Sequence, residues 1–194
     1  MGRRKNKQEK RDLRYLKVVY GLEPPFRILV DGFFLQEAWD RGIFLRERLT
    51  QQLQGATFTL VVTRCVVSEL HMLAEPFAHS HVMSKRMQRL PCPHQRCVAS
   101  EQCFQDVVKE LEPGLALMIG TQSVALRRHL KENYPRIPLI HIFKGLLTIE
   151  GPGKKSRREQ RKAEEAKLLP DDKERRYLAK LEAEMEAEAA ASRP

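Results

Sequence analysis

The chain has 194 residues, a formal net charge of +10, 42% hydrophobic residues and 7% aromatic residues. That length suits one domain of ordinary size plus tails. No run of about 18 apolar residues occurs and the start is basic without an apolar core, so neither a membrane span nor a secretory leader is expected, and a soluble intracellular protein is predicted.

Residues 1–17 hold eight Lys/Arg against two acids, residues 18–153 fifteen against thirteen, and Lys154–Lys162 six against one. The excess charge therefore sits in two segments flanking a nearly balanced middle. Such segments neutralise phosphates and release counterions, so nucleic acid is the first partner to consider. A nuclear-localisation signal or a solvated tail is the plainer reading of the same charge. Neither a membrane nor a small-molecule substrate is expected.

In chain order, Phe26–Asp31 (FRILVD) and Phe58–Thr63 (FTLVVT) are short apolar runs with polar ends, as in buried parallel strands. Leu115–Thr121 and Ile137–Phe143 repeat the pattern, with helix-like stretches at Leu35–Leu53, Val66–Ala74, Cys103–Leu111 and Val124–Glu132. This alternation predicts an α/β domain with a mainly parallel central sheet flanked by helices, its crevice at the carboxyl ends of the strands near Asp31. Past Gly151-Pro152-Gly153, Ser156 with Glu159 fits a capping box opening a helix-forming segment that turns from basic to acidic. That segment is predicted to be an exposed helical or partly disordered tail.

Two clusters carry chemistry. Cys92-Pro-His94-x-x-Cys97-x5-Cys103 packs zinc-ligand types into a short loop stiffened by Pro91 and Pro93. In a reducing compartment such a cluster is a metal site more often than a disulfide framework. The expected ligands are Cys92, His94, Cys97 and Cys103, around one structural zinc, whereas Cys65 reads as a small buried hydrophobe. The other cluster is acidic. A metal-dependent nuclease needs several carboxylates in one crevice, and Asp31 and Glu69 could converge. No further acid follows: Thr121-Gln-Ser123 offers a hydroxyl, and Glu101-Gln102 stands where a pair of acids would be needed.

The runs Ile28-Leu-Val-Asp31-Gly-Phe, Thr63-Arg-Cys-Val-Val-Ser-Glu69-Leu, Cys92-Pro-His94 with Cys103, and Thr121-Gln resemble the PIN-like rRNA-processing proteins of the small-subunit processome. Among them the likeness is to the branch with a CCHC zinc finger, the UTP twenty-three family, and it covers roughly residues 1–160. The resemblance implies a PIN-like fold. Asp31 and Glu69 match the first two acids of the active nucleases, with Gln102 and Ser123 where the other two would stand. It therefore implies a vestigial site with no catalytic residue and no catalytic metal, hence an RNA-binding factor and not an enzyme. The family's first cysteine is expected about one turn before Cys-Pro-His, where this chain has Met87; Cys97 is the natural substitute. The family also implies pre-rRNA and an H/ACA-type snoRNA as partners, and a nuclear, nucleolar location.

The resulting expectation is a basic arm over residues 1–22, a PIN-like domain over 23–150 with its zinc loop at about 87–104, and a tail over 151–194 that docks on processome proteins. RNA contacts are expected from Arg3, Arg4, Lys5, Lys85, Arg86, Arg89, Arg96, Lys154, Lys155, Arg157 and Arg158, through shape and phosphates more than base reading. Two other functions compete: an active metal-dependent endoribonuclease using Asp31, Glu69 and Glu101 or Asp106, and a protein-binding scaffold of the processome.

Overall fold

The computed structural model describes residues 22–111 and 116–150, together with Arg158, Arg176, Tyr177, Lys180 and Leu181. The chain divides into two compact units, Met1–Gly153 and Lys154–Pro194. In the second, the five described residues are helical and exposed. The capping box at Ser156, Arg3, Arg4, Lys5, Lys154, Lys155 and Arg157 lie outside the described residues.

The first unit is built on a six-stranded sheet in the order β3-β2-β1-β4-β5-β6. Its strands are β1 (Phe26–Val30), β2 (Phe58–Val62), β3 (Gln88–Arg89), β4 (Leu117–Gly120), β5 (Leu139–Phe143) and β6 (Leu146–Glu150). All neighbours pair in parallel except β5 with β6. Ile28, Leu29 and Val30 are buried in the central strand, with Val61, Val62, Met118 and Ile119 beside them. Runs that are apolar on both faces suit a parallel sheet covered on both sides.

Six helices connect the strands: α1 (Gly32–Asp40), α2 (Leu45–Gln52), α3 (Arg64–Leu73), α4 (Ala78–Lys85), α5 (Ser100–Lys109) and α6 (Val124–Asn133). The stretch read as one helix over Leu35–Leu53 is two. Arg41 ends α1, Gly42 takes φ +61°, and the amides of Gly42 and Ile43 return to the carbonyls of Trp39 (2.9 Å) and Ala38 (2.8 Å). This is a Schellman turn, which glycine enters without a Cβ penalty.

Three elements were not among those expected from the sequence. The inward positions of α4 are Ser80 and Ser84, and Ser80 donates to Gln36 Oε1 at 2.8 Å, so a polar face packs on α1. Strand β3 has two residues. Strand β6 follows a two-residue turn, Lys144-Gly145, with both φ values positive, a hairpin geometry that matches strand twist. Glu150 at its end pairs with Arg127 of α6 and lies 3.1 Å from His141 Nδ1, joining the hairpin to that helix.

The strand order reverses between β1 and β4: the chain winds one way through β2 and β3, and the other way through β5. In open α/β sheets the crevice opens at such a switch point, beyond the carboxyl ends of the strands. A close approach just past β1 fixes how α1 leaves the sheet. A Cβ on Gly32 would stand 2.7 Å from Leu70 Cδ2 and 2.9 Å from Leu70 Cγ, inside the buried contact between α1 and α3. Gly32→Ala is therefore expected to destabilise the protein by about 1–3 kcal/mol, the usual cost of overpacking. Chemical denaturation measures this, and an unchanged midpoint would contradict it.

Candidate metal centre

A polar residue shortly past the end of β1, β2 and β4 caps the helix that follows each. Asp31, 3% exposed, accepts the Phe34 amide at 2.6 Å and so caps α1. Thr63 accepts from the Val66 amide at 3.3 Å and caps α3; Ser123 accepts from Leu126 at 3.1 Å and caps α6. These are ordinary N-cap residue types, each satisfying an otherwise orphaned amide. Gln122 bonds both the amide (2.9 Å) and the carbonyl (3.1 Å) of Ile142, while Thr121 Oγ1 accepts from the Ser123 amide at 3.1 Å.

Burial pushes the Asp31 carboxyl up to about 6, against the pull of the Thr121 hydroxyl and the Phe34 amide, with the Glu69 carboxylate adding to the rise. Asp31 and Glu69 are thus near enough to repel. Glu69 Oε1 receives the Ser100 amide at 3.5 Å, at the start of α5, where the N-cap residue Ala99 has no side-chain acceptor. Its Oε2 is shielded from solvent without a hydrogen-bond partner among the described residues. The other candidate acids do not join this pair. Glu101 is exposed on the first turn of α5, the Gln102 amide donates to Asp106 at 2.8 Å, and Asp106 turns to His94 and Lys109.

The donors for a metal meet elsewhere. Cys65, Cys92, His94 and Cys103 each offer one atom, and these four atoms lie within 4.8 Å of one another. Cys65 Sγ is 3.8 Å from Cys92 Sγ and 3.6 Å from His94 Nδ1. Cys65 comes from the first turn of α3 and Cys103 from the first turn of α5; Cys92 and His94 come from the irregular segment after β3. Along that segment Cys92 and His94 alternate inward with outward Pro91, Pro93 and Gln95, as in extended chain. Arg64 donates to the carbonyls of His94 and Gln95, the latter at 2.9 Å, bracing the loop on α3.

This arrangement corrects two expectations. Cys97 is exposed and lies outside the group, because the chain has turned outward by that point. Cys65 is buried as expected, yet its sulfur faces the cluster and takes the fourth corner. Met87, where a first cysteine was looked for, packs against the hydrophobic core. Spacing along the loop could not reveal Cys65, 27 residues before Cys92; its only signal was its place just past a buried strand.

Electrostatics fit a cation at this point. Burial raises the Cys65 and Cys103 thiols above their ordinary range. Burial also raises Cys92, but hydrogen bonds from His94 and Cys65 outweigh it and bring that thiol to about 7. His94 is raised by its bonds to Cys92 and Asp106. Three crowded thiols ionise together only if a cation compensates them, so the group is one that could hold a metal ion.

The basic residues near this loop, Lys85, Arg86, Arg89 and Arg96, are exposed, and Arg89 also donates to the Ser84 carbonyl at 2.8 Å. No helix among the described residues is long and apolar enough to cross a membrane.

Residues 52–151 match the profile of the Fcf1 family. The rRNA-processing protein utp23 of Schizosaccharomyces pombe is 22% identical over 181 residues, covering 92% of this chain and 69% of that protein. A solved structure described as the PIN domain endonuclease Utp24 superposes with a TM-score of 0.59 at 24% identity, over 67% of this chain and 95% of that one. The fold is thus that of PIN domains.

The charge on Asp31 costs stability in proportion to its raised pKa. The folded carboxyl titrates near 6 and the unfolded one near 3.8, so the penalty is absent below about pH 4 and full above about pH 6. Asn caps helices as well as Asp does. Asp31→Asn should therefore melt a few degrees above the wild type at pH 7.5, with the gain gone by pH 4. A lower melting temperature at pH 7.5 would contradict this.

Proposed function

Since the chain belongs to the Fcf1 family, we propose that it is an RNA-binding ribosome-biogenesis factor of the small-subunit processome, acting in early pre-rRNA processing without cutting RNA itself. The observation that carries this reading is the chemistry of the crevice. Its two carboxylates serve helix amides, and hydroxyl and amide groups of Thr121, Gln122 and Ser123 line the end of β4. A divalent ion clamping a scissile phosphate needs several carboxylates to offset its dehydration, and this set is too poor in charge to hold one. The likeness to utp23, itself described as an rRNA-processing protein, supports the pre-rRNA assignment. Its RNA partners are pre-rRNA and an H/ACA-type snoRNA, its place is the nucleolus, and residues 151–194 dock on processome proteins.

The cluster is a structural zinc site held by Cys65, Cys92, His94 and Cys103. Tetrahedral zinc, with bonds of about 2.3 Å to sulfur and 2.0–2.1 Å to nitrogen, sets its ligand atoms roughly 3.5–3.8 Å apart. Two of the six separations, 3.8 Å and 3.6 Å, fall in or beside that range, and all four atoms lie within 4.8 Å of one another. A bound ion supplies no reaction step; it closes a loop too polar to make a core and fixes it against α3 and α5. Purified protein should carry about one zinc per chain. Cys65→Ser should lose it and melt at a lower temperature, whereas Cys97→Ser should keep both properties. Zinc lost from Cys97→Ser and retained by Cys65→Ser would overturn the ligand assignment.

RNA affinity comes from the basic arm and Lys154–Lys162, with Lys85, Arg86, Arg89 and Arg96 as a further exposed patch. Deleting residues 1–17 and 154–162 should weaken binding to a pre-rRNA fragment by orders of magnitude. Log affinity should fall with log salt at about 0.7 per neutralised phosphate for a single strand. Affinity that stays flat with salt would favour a protein-binding scaffold.

A further inference from the structure

Resting on the metal-centre reading, we propose that Asp106 is the residue that positions His94, so that Nδ1 is the coordinating nitrogen, with Gln102 and Lys109 holding Asp106 in place. A neutral imidazole carries one N–H, and whichever nitrogen donates it leaves the other lone pair to bind metal. His94 turns Nδ1 to the sulfurs, 3.6 Å from Cys65 Sγ, while Nε2 lies 3.2 Å from Asp106 Oδ2. A carboxylate at that point accepts Nε2–H. The tautomer is fixed, and the Nδ1 lone pair points into the cluster.

Asp106 is held from two sides. The Gln102 amide donates to its Oδ2 at 2.8 Å, and Lys109 Nζ donates to its Oδ1 at 2.8 Å. Residues 102, 106 and 109 follow the helical spacing that puts side chains on one face of α5. Cys103, a ligand, sits one turn before Asp106 on the same helix, so ligand and positioning residue share one rigid element. Arg64 complements this from α3 by holding the main chain at His94 and Gln95 instead of the ring. The same contacts remove Asp106 from the carboxylates that could serve a nuclease, since both its oxygens are engaged here.

The test uses the full chain and zinc itself. Zinc affinity is measured by chelator competition for wild type, Asp106→Ala, Asp106→Asn and Lys109→Ala, and the His94 ring nitrogens are assigned by nitrogen NMR. Metal-free melting curves of the same proteins control for any loss of folding. We expect Asp106→Ala to weaken zinc about 10–100-fold, and Lys109→Ala to weaken it less. Asp106→Asn, which keeps an acceptor oxygen, should recover most of the affinity. In the wild type, Nδ1 should carry the metal and Nε2 the proton. Undiminished affinity in Asp106→Ala, or a metal on Nε2, would overturn the positioning role while leaving the zinc site standing. A wild type that takes up no zinc would overturn the metal centre, and this proposal with it.

Discussion

Three sulfurs and one imidazole nitrogen gathered within 4.8 Å bring the segment between β3 and α5 against the first turns of α3 and α5. That segment has no helix or ladder of its own to satisfy it, and few apolar side chains to bury. Its shape follows from attachments along Cys92–Gln95: Cys92 and His94 to Cys65 on α3, and the Arg64 guanidinium to the carbonyls of His94 and Gln95. The cluster also reaches the crevice. Cys65 and Glu69 are one turn apart on α3, and Glu69 meets the amide of Ser100 three residues before Cys103. Whatever fixes the four donors therefore fixes the start of α5 and the surroundings of the two acids.

The crevice shows how a nuclease-like fold can keep its frame with few metal-binding charges. The switch point between β1 and β4 still presents polar residues at the strand ends, because each following helix needs a cap there. Asp31, Thr63 and Ser123 meet that need with different chemistry, and a serine caps α6 without a negative charge. Burial of Asp31, with Glu69 nearby, makes its ionised form costly. A bound divalent ion would relieve that cost, but the groups contributed by β4 and the residues after it are hydroxyl and amide.

Much of this was legible in the sequence. Four parallel strands were marked by apolar runs ending in polar residues, and their helices by periodicity. The strand-end place of Asp31, and Ser123 in the turn after the fourth strand, could be read from position. What was missed has physical reasons. A serine-lined face hides α4 from any hydrophobic pattern, and a two-residue strand leaves no pattern at all. The strand after Lys144-Gly145 was there to be found in its turn residues. The cluster of donor atoms differs from the expected one at one corner because proximity along the chain favoured Cys97, whereas folding brings Cys65 across 27 residues to Cys92.

The account stands or falls on a fold that holds RNA without cutting it. The most direct measurement is an RNA-cleavage assay with zinc-loaded full-length protein and magnesium or manganese, at protein concentrations that saturate binding to a pre-rRNA fragment. The account predicts a fully bound and intact RNA. Divalent-dependent cleavage that disappears in Asp31→Asn would contradict it, and would mean that two carboxylates and their polar neighbours suffice to hold a catalytic ion.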